Sequence, residues 1–139
     1  MPGLETARRI VDGALQKARQ DDLQPLAVAV LDAGGHLLAF AREDGAGIIR
    51  PDIAIGKAWG ALGMGTGTRG LKEKGPEFLA ALASMAGGGK VVPSPGGVIV
   101  RDADGAALGA VGISGDTGDR DEACAIHAIE AAGLVADPG

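Results

Sequence analysis

Apolar residues at Leu4, Ala7, Val11, Ala14, Leu15 and Ala18 recur three or four positions apart, with Glu5 just ahead of Arg8 and Arg9. That period predicts a helix over about Leu4–Gln20, released at Asp21–Asp22 and stopped by Pro25. The pattern then changes. Two β-prone runs, Leu26–Leu31 and His36–Arg42, flank "DAGG", which supplies the positive-φ residues of a tight hairpin. The first run is apolar on both faces and predicts a strand inside a covered sheet. From Arg50 to Ala86 the alternation vanishes, and Pro51 suits the first turn of a helix. Ala54, Ala58, Ala61 and Leu62 form a small-residue stripe, beside Gly56 and Gly60, against which a helix or sheet can sit closely. Helical spacing resumes at Leu71 and again at Pro76, where Phe78, Leu79, Leu82 and Met85 are expected to line one face.

The loop "GGGKVVPSPGG" returns the chain to extended structure, its prolines unfit for a central strand. A second hairpin follows, Val98–Arg101 and Ala107–Ile113, turned by "DADG". The last helix is expected to start at Asp119, with Asp119 and Glu122 as a capping box and Ile126, Ile129 and Gly133 on its buried side; "DPG" closes the chain. Strands joined by tight turns are antiparallel. The order helix, hairpin, helices, hairpin, helix therefore predicts an α/β (α+β) fold: one domain over residues 1–139, with helices packed on an antiparallel sheet of about five strands.

Composition narrows the function. Glycine is abundant (25 residues), whereas tyrosine is absent and there is a single tryptophan, so the core must be built from Ala, Val, Ile and Leu. A net charge of −5 with so few aromatics excludes a phosphate-tracking or base-stacking surface, hence nucleic acid. No stretch approaches the roughly 20 apolar residues of a membrane span, and "MPGLETARRIVDG" reads as neither signal peptide nor anchor. One cysteine cannot form an internal disulfide, so a cytoplasmic location is the default expectation.

Several motifs invite chemistry. "GTGTRG", Gly65–Gly70, matches a dinucleotide fingerprint but follows a helix rather than a strand, and reads as an inter-helix connection. "GGGK" is followed by Val91, where a phosphate loop needs Ser or Thr. "DADG" lacks the closing glutamate of a calcium loop. Cys124 and His127, three apart, supply at most two metal ligands and read as a buried thiol and a flank histidine. His36 is either a polar turn residue or, near neutral pH, a metal ligand or acid–base group. Ser114, Asp116 and Thr117 lie between a strand end and a helix start, where free N–H groups can meet a polar ligand. The acids Asp116, Asp119 and Asp121 on that turn disfavour a free phosphate.

Together "AVAVLDAGGHLLAFAREDGA", "DIAIGKAWGAL", "VPSPGGVIV" and "GAVGISGDTGDRDEACA" resemble the GlcG/HbpS family, which includes the C-terminal domain of PduO-type corrinoid adenosyltransferases. The resemblance spans nearly the whole chain. It implies a profilin-like three-layer α/β/α fold, symmetric homo-oligomers, and haem or a related tetrapyrrole as ligand. His36 matches the histidine of the family's "DAGGH", Lys57 the lysine of its second helix, and Ser114 and Thr117 its loop before the last helix. Two departures stand out: Asp116 replaces a glycine, and aromatics for stacking on a porphyrin are scarce. The resemblance implies a ligand site between the first hairpin and that loop, with His36 or Thr117 toward the iron and Arg50 and Lys57 neutralising carboxylates. Two other readings stay open: an enzyme or flavin- or corrinoid-linked auxiliary acting on a small organic acid, with His36 as acid–base, and an oligomeric assembly module.

Overall fold

A computed structural model describes residues 3–85 and 90–139. The elements run α1 Leu4–Gln20, β1 Ala27–Asp32, β2 Leu37–Arg42, α2 Arg50–Met64, α3 Thr68–Leu71, a 3₁₀ turn Lys72–Lys74, α4 Pro76–Met85, β3 Gly97–Arg101, β4 Ala107–Ser114, α5 Gly118–Ala131 and β5 Val135–Asp137. The strands form one antiparallel sheet in the order β2-β1-β4-β3-β5. The predicted fold class is therefore the observed one. The end of the predicted helical stretch at Ala86 and the three glycines of "GGGK" lie outside the described residues.

Strand alternation sorts the core into two layers. Val28, Val30, Val98, Val100, Val111 and Ile113 face α1 and α5, where they meet Ile10, Ala14, Cys124 and Ile129. Ala27, Ala29, Leu31 and Ala110 face α2, meeting Ala54 and Ala58. This second layer is thin because its residues are small. At Gly112 a side chain would collide with the Ala54 carbonyl, so α2 rests directly on the backbone of β4.

Both hairpins are turned by the same device. Asp32 Oδ1 accepts from the N–H groups of Gly34 and His36, and Gly35 takes φ 83°. Asp102 Oδ1 accepts from Asp104 and Ala106, and Gly105 takes φ 88°. An aspartate that holds the turn and a glycine that supplies the left-handed residue fix each strand register.

Four sequence expectations need correction. The N-cap of α5 is Thr117, not Asp119: its Oγ1 accepts from the Arg120 N–H at 3.3 Å, while Glu122 turns to Arg69 instead of back to the cap. Gly133 is not on the buried side of α5 but ends it, at φ 79°, with its own N–H on Glu130 and that of Leu134 on Ile129, the double bond of a Schellman stop. On α4, Leu79 is buried but Phe78 and Met85 are exposed, because the helix packs on Leu71 and Val91 rather than on the sheet. Finally, the chain does not run out in a turn: Val135–Asp137 adds an edge strand, pinned by Arg101 Nε on Asp137 at 2.8 Å.

The "GTGTRG" connection also acquires a reason. A side chain at Gly67 would strike Pro138 and Gly139, one at Gly70 would strike the Thr66 hydroxyl and press on Gly139, and Arg69 N–H donates to the Pro138 carbonyl. Gly67 and Gly70 make room for the chain's own residues. Among the described residues no helix is long and apolar enough to cross a membrane.

Candidate functional site

Five of the six residues singled out in the sequence converge at one end of the sheet, where β4 runs into α5. Ser114 is fully buried, and Arg50, from the first turn of α2, donates to its Oγ at 3.2 Å. Lys57 is only 3% exposed. Its ammonium donates to the Ile113 carbonyl at 2.8 Å and to Asp121 Oδ2 at 3.1 Å. Gly96 makes room for it, since a side chain there would press on Nζ. Asp121 Oδ1 in turn accepts from the Asp116 N–H at 2.9 Å. The side chain of Asp116 accepts from Gln24 N–H and Thr117 N–H and pairs with Arg120.

The electrostatics follow from this wiring. Burial lowers the pKa of Lys57 and raises that of Asp121; each partner's charge offsets only part of that cost. Asp116 is held below the ordinary carboxylate value, first by the Gln24 N–H and then by the Thr117 N–H. The cluster is thus closed on itself. Lys57 points inward and is engaged, so it is not placed to meet a ligand carboxylate. The hydroxyl of Thr117 is engaged by its own helix. Asp121, read in the sequence only as one of several crowded acids, is the centre of the network. The missed signal was its partner: a lysine on the sheet-facing side of α2 needs a buried anion.

His36 lies elsewhere. Ala27 pairs with Ser114 and Asp32 with Gly109, so the hairpin tip beyond Asp32 is separated from the Ser114 cluster by the length of β1. That is about 17 Å at the usual rise of a strand. Within one chain, the first hairpin and the final loop do not share a site. At its own end the imidazole is 80% exposed, and Nδ1 sits 3.1 Å from Asp32 Oδ1 and 3.3 Å from Oδ2. The pKa of Asp32 is lowered, chiefly by the His36 backbone N–H. A carboxylate beside Nδ1 favours the tautomer that carries its proton there, with Nε2 as the ligating atom. Asp32, four residues before His36 in "DAGGH", was legible as a turn residue but not as the imidazole's orienting partner.

The single tryptophan stands beside this tip. A side chain at Gly35 would approach the Trp59 indole at 3.4 Å, so the turn lies directly on the ring. Two adjoining cavities share Trp59 and Gly63: a notch of about 170 Å³ against Gly34, Gly35 and Leu62, and an apolar groove of about 330 Å³ toward Met64, Leu82, Met85 and Val91. The Lys90 ammonium stands 5.0 Å from the centre of the indole. His36 lines neither cavity; the apolar groove beside Trp59, with the Lys90 cation over the indole, suits a flat, apolar, anionic ligand. The Cys124–His127 pair offers nothing comparable: Cys124 is buried, its thiol pushed up to about 11 by desolvation, and His127 is exposed.

Comparison with known proteins agrees with the fold. The family described as haem-degrading protein HbpS-like matches residues 3–130. The crystal structure of a PduOC:heme complex is similar over 94% of both chains, at 30% identity and a TM-score of 0.84. Klebsiella pneumoniae protein ORFY is 25% identical, with a TM-score of 0.83 over 95% of this chain and 90% of its own. A double mutant of Streptomyces reticuli HbpS is 30% identical, with a TM-score of 0.78 over 94% and 86%. No curated protein matches the chain significantly.

Proposed function

The chain belongs to the family of HbpS-like haem-degrading proteins, and from that premise we propose that it binds haem or a closely related tetrapyrrole, with His36 as the protein ligand to the iron. One observation carries the reading: the exposed, Asp32-held imidazole projects from a hairpin tip that lies beside Trp59, across a small notch from the apolar groove. The residues fit the group. The porphyrin face has the indole and the thioether-lined groove, and Lys90 at the rim is a counter-charge for a propionate. Among the described residues no three His, Cys, Asp or Glu gather to enclose a metal ion. Bound haem would supply a redox-active iron. The chain's part is to hold the ring, orient the imidazole through Asp32 and exclude water from one face. Arg50, Ser114, Lys57, Asp116 and Thr117 then serve as the frame of the sheet's other end.

An organic-acid site built on Arg50 and Lys57 is less well supported, since the Lys57 ammonium is committed to Asp121 and the Ile113 carbonyl, which leaves Arg50, on the Ser114 hydroxyl, as the cation such a site would use. The discriminating experiment is a haemin titration followed by absorption. We expect a saturable Soret shift in the wild type that is abolished in His36→Ala, weakened severalfold in Asp32→Asn, and retained in Thr117→Ala. Retention in His36→Ala with loss in Thr117→Ala would move the ligand to the other end of the sheet.

A further inference from the structure

The chain has no asparagine, but three of its aspartates are followed directly by glycine: Asp12–Gly13, Asp44–Gly45 and Asp104–Gly105. A peptide of this kind can react with itself. The glycine nitrogen, unshielded by any side chain, reaches back to the aspartate Cγ and closes a five-membered imide. The reaction needs an exposed carboxyl and a nitrogen that no hydrogen bond already holds. The fold meets both conditions at one of the three pairs.

Gly13 lies in the middle of α1, where helical hydrogen bonding holds its N–H on the preceding turn. Gly105 N–H donates to the Asp102 carbonyl at 3.1 Å, and Asp104 N–H is fixed on Asp102 Oδ1 at 2.9 Å. Asp44 and Gly45, by contrast, are both exposed, at the centre of a turn that the Ala46 N–H closes on the Glu43 carbonyl at 3.1 Å. Among the described residues the Gly45 N–H finds no acceptor, and the Asp44 carboxylate enters no hydrogen bond or ion pair. Gly45 takes φ 88°, a left-handed conformation that favours glycine, so the turn itself keeps the reactive pair in place.

We propose that Asp44–Gly45 is a site of spontaneous aspartate isomerisation, independent of any ligand. The Gly45 nitrogen forms a bond to Asp44 Cγ and the Cγ–OH bond breaks, so one water leaves with the amide proton. Water then adds to the imide. Opening at the main-chain carbonyl breaks its bond to nitrogen and yields isoaspartate; opening at Cγ regenerates aspartate. Water is the only co-reactant, and the mass is unchanged. The product routes the backbone through the Asp44 side chain and lengthens the turn by one carbon. That turn carries contacts: Glu43 accepts from the Leu26 N–H at 2.8 Å and pairs with Arg19 at 3.0 Å, and the Ala46 carbonyl accepts from Arg42 at 2.7 Å. Isomerisation therefore loosens the joint between the end of α1, the start of β1 and the end of β2.

Incubation of the full chain at about 37 °C and pH 6 in water enriched in heavy oxygen, followed by tryptic peptide mapping, tests this. Trypsin separates the three pairs into Ile10–Lys17, Glu43–Lys57 and Asp102–Arg120. In the folded protein, isoaspartate and the oxygen label should accumulate severalfold faster in Glu43–Lys57 than in the other two. In guanidinium chloride the three rates should converge, because each pair is then a free aspartyl–glycyl peptide. Asp44→Glu should remove the product, since its ring would have six members, and should keep the thermal stability that the aged wild type loses. If that variant does not fold, comparison of the three peptides in the wild type still decides. Equal conversion of the three in the folded chain overturns the proposal. Conversion led by Asp12 or Asp104 does the same, as does none at Asp44 by the time the unfolded chain has reacted. An isomerised chain as stable as the fresh one would overturn the loosening of the joint.

Discussion

Lys57 and Asp121 are the two most consequential charges in the molecule, because water cannot reach either. Burial pushes each toward its neutral form, and their mutual contact, with the Ile113 carbonyl and Asp116 N–H, opposes that push. Removing one partner strands the other: Lys57→Met and Asp121→Leu should each cost about 3–5 kcal/mol. The double variant should cost far less than the sum, since no lone charge remains. It should not be neutral, because the Asp116 N–H loses its acceptor. A thermal double-mutant cycle reads this directly, and additive losses would show that the contact contributes nothing. At this scale the sequence was informative about which residues matter and not about what they touch. Lys57, Ser114, Asp116 and Thr117 were all visible, yet their engagement with Asp121, Arg50 and Gln24 is long-range and has no local pattern. His36 was visible for the same reason as its turn, and Asp32 was overlooked because its turn role already accounted for it.

Elements were legible where periodicity or turn chemistry is local. α1, the two hairpins and the start of α2 fall within a residue or so of the expected positions, since their apolar spacing, Asx turns and glycines are self-contained. β5 was not legible: three residues carry no alternation, and they become a strand only by pairing with Ile99, Val100 and Arg101. The faces of α4 were misassigned because which side of a helix is buried depends on its neighbours. The small-residue stripe of α2, by contrast, meant close packing, and the sheet shows how close. Gly112→Ala would drive a methyl into the Ala54 carbonyl, with backbone on both sides and no flexible side chain to yield. The loss should be at least the roughly 1–3 kcal/mol of ordinary overpacking. Gly13→Ala is the matched control: it sits in α1 with ordinary contacts to Ala128, and should instead gain about 0.5–1 kcal/mol from helix propensity. Urea midpoints measure both, and equal effects at the two sites would refute the close-packing account.

For the molecule as a whole, Asp116 is the clasp between its two halves. Its carboxylate holds Gln24, in the link from α1 to β1, and Thr117, at the start of α5, while its own N–H rests on Asp121. The pKa of its carboxyl is lowered from 3.8 in the fold, so its contribution is fully present above that value and is lost as pH falls through the folded value. Asp32 behaves in the same direction at the other end of the sheet. Asp121 has the opposite sign: its raised pKa means that acid relieves a buried charge. Acid should therefore weaken the fold from the clasps inward and only below about pH 4, where Asp32 and Asp116 begin to take up protons. The stability difference between pH 7 and pH 3 should be smaller in Asp116→Asn than in the wild type. In the wild type at pH 3, amide exchange should rise first at Gln24 and Thr117, before the strands open. If exchange rose uniformly, or if Asp116→Asn left the acid dependence unchanged, the carboxylate would not be the link that fastens α5 to the α1–β1 connection.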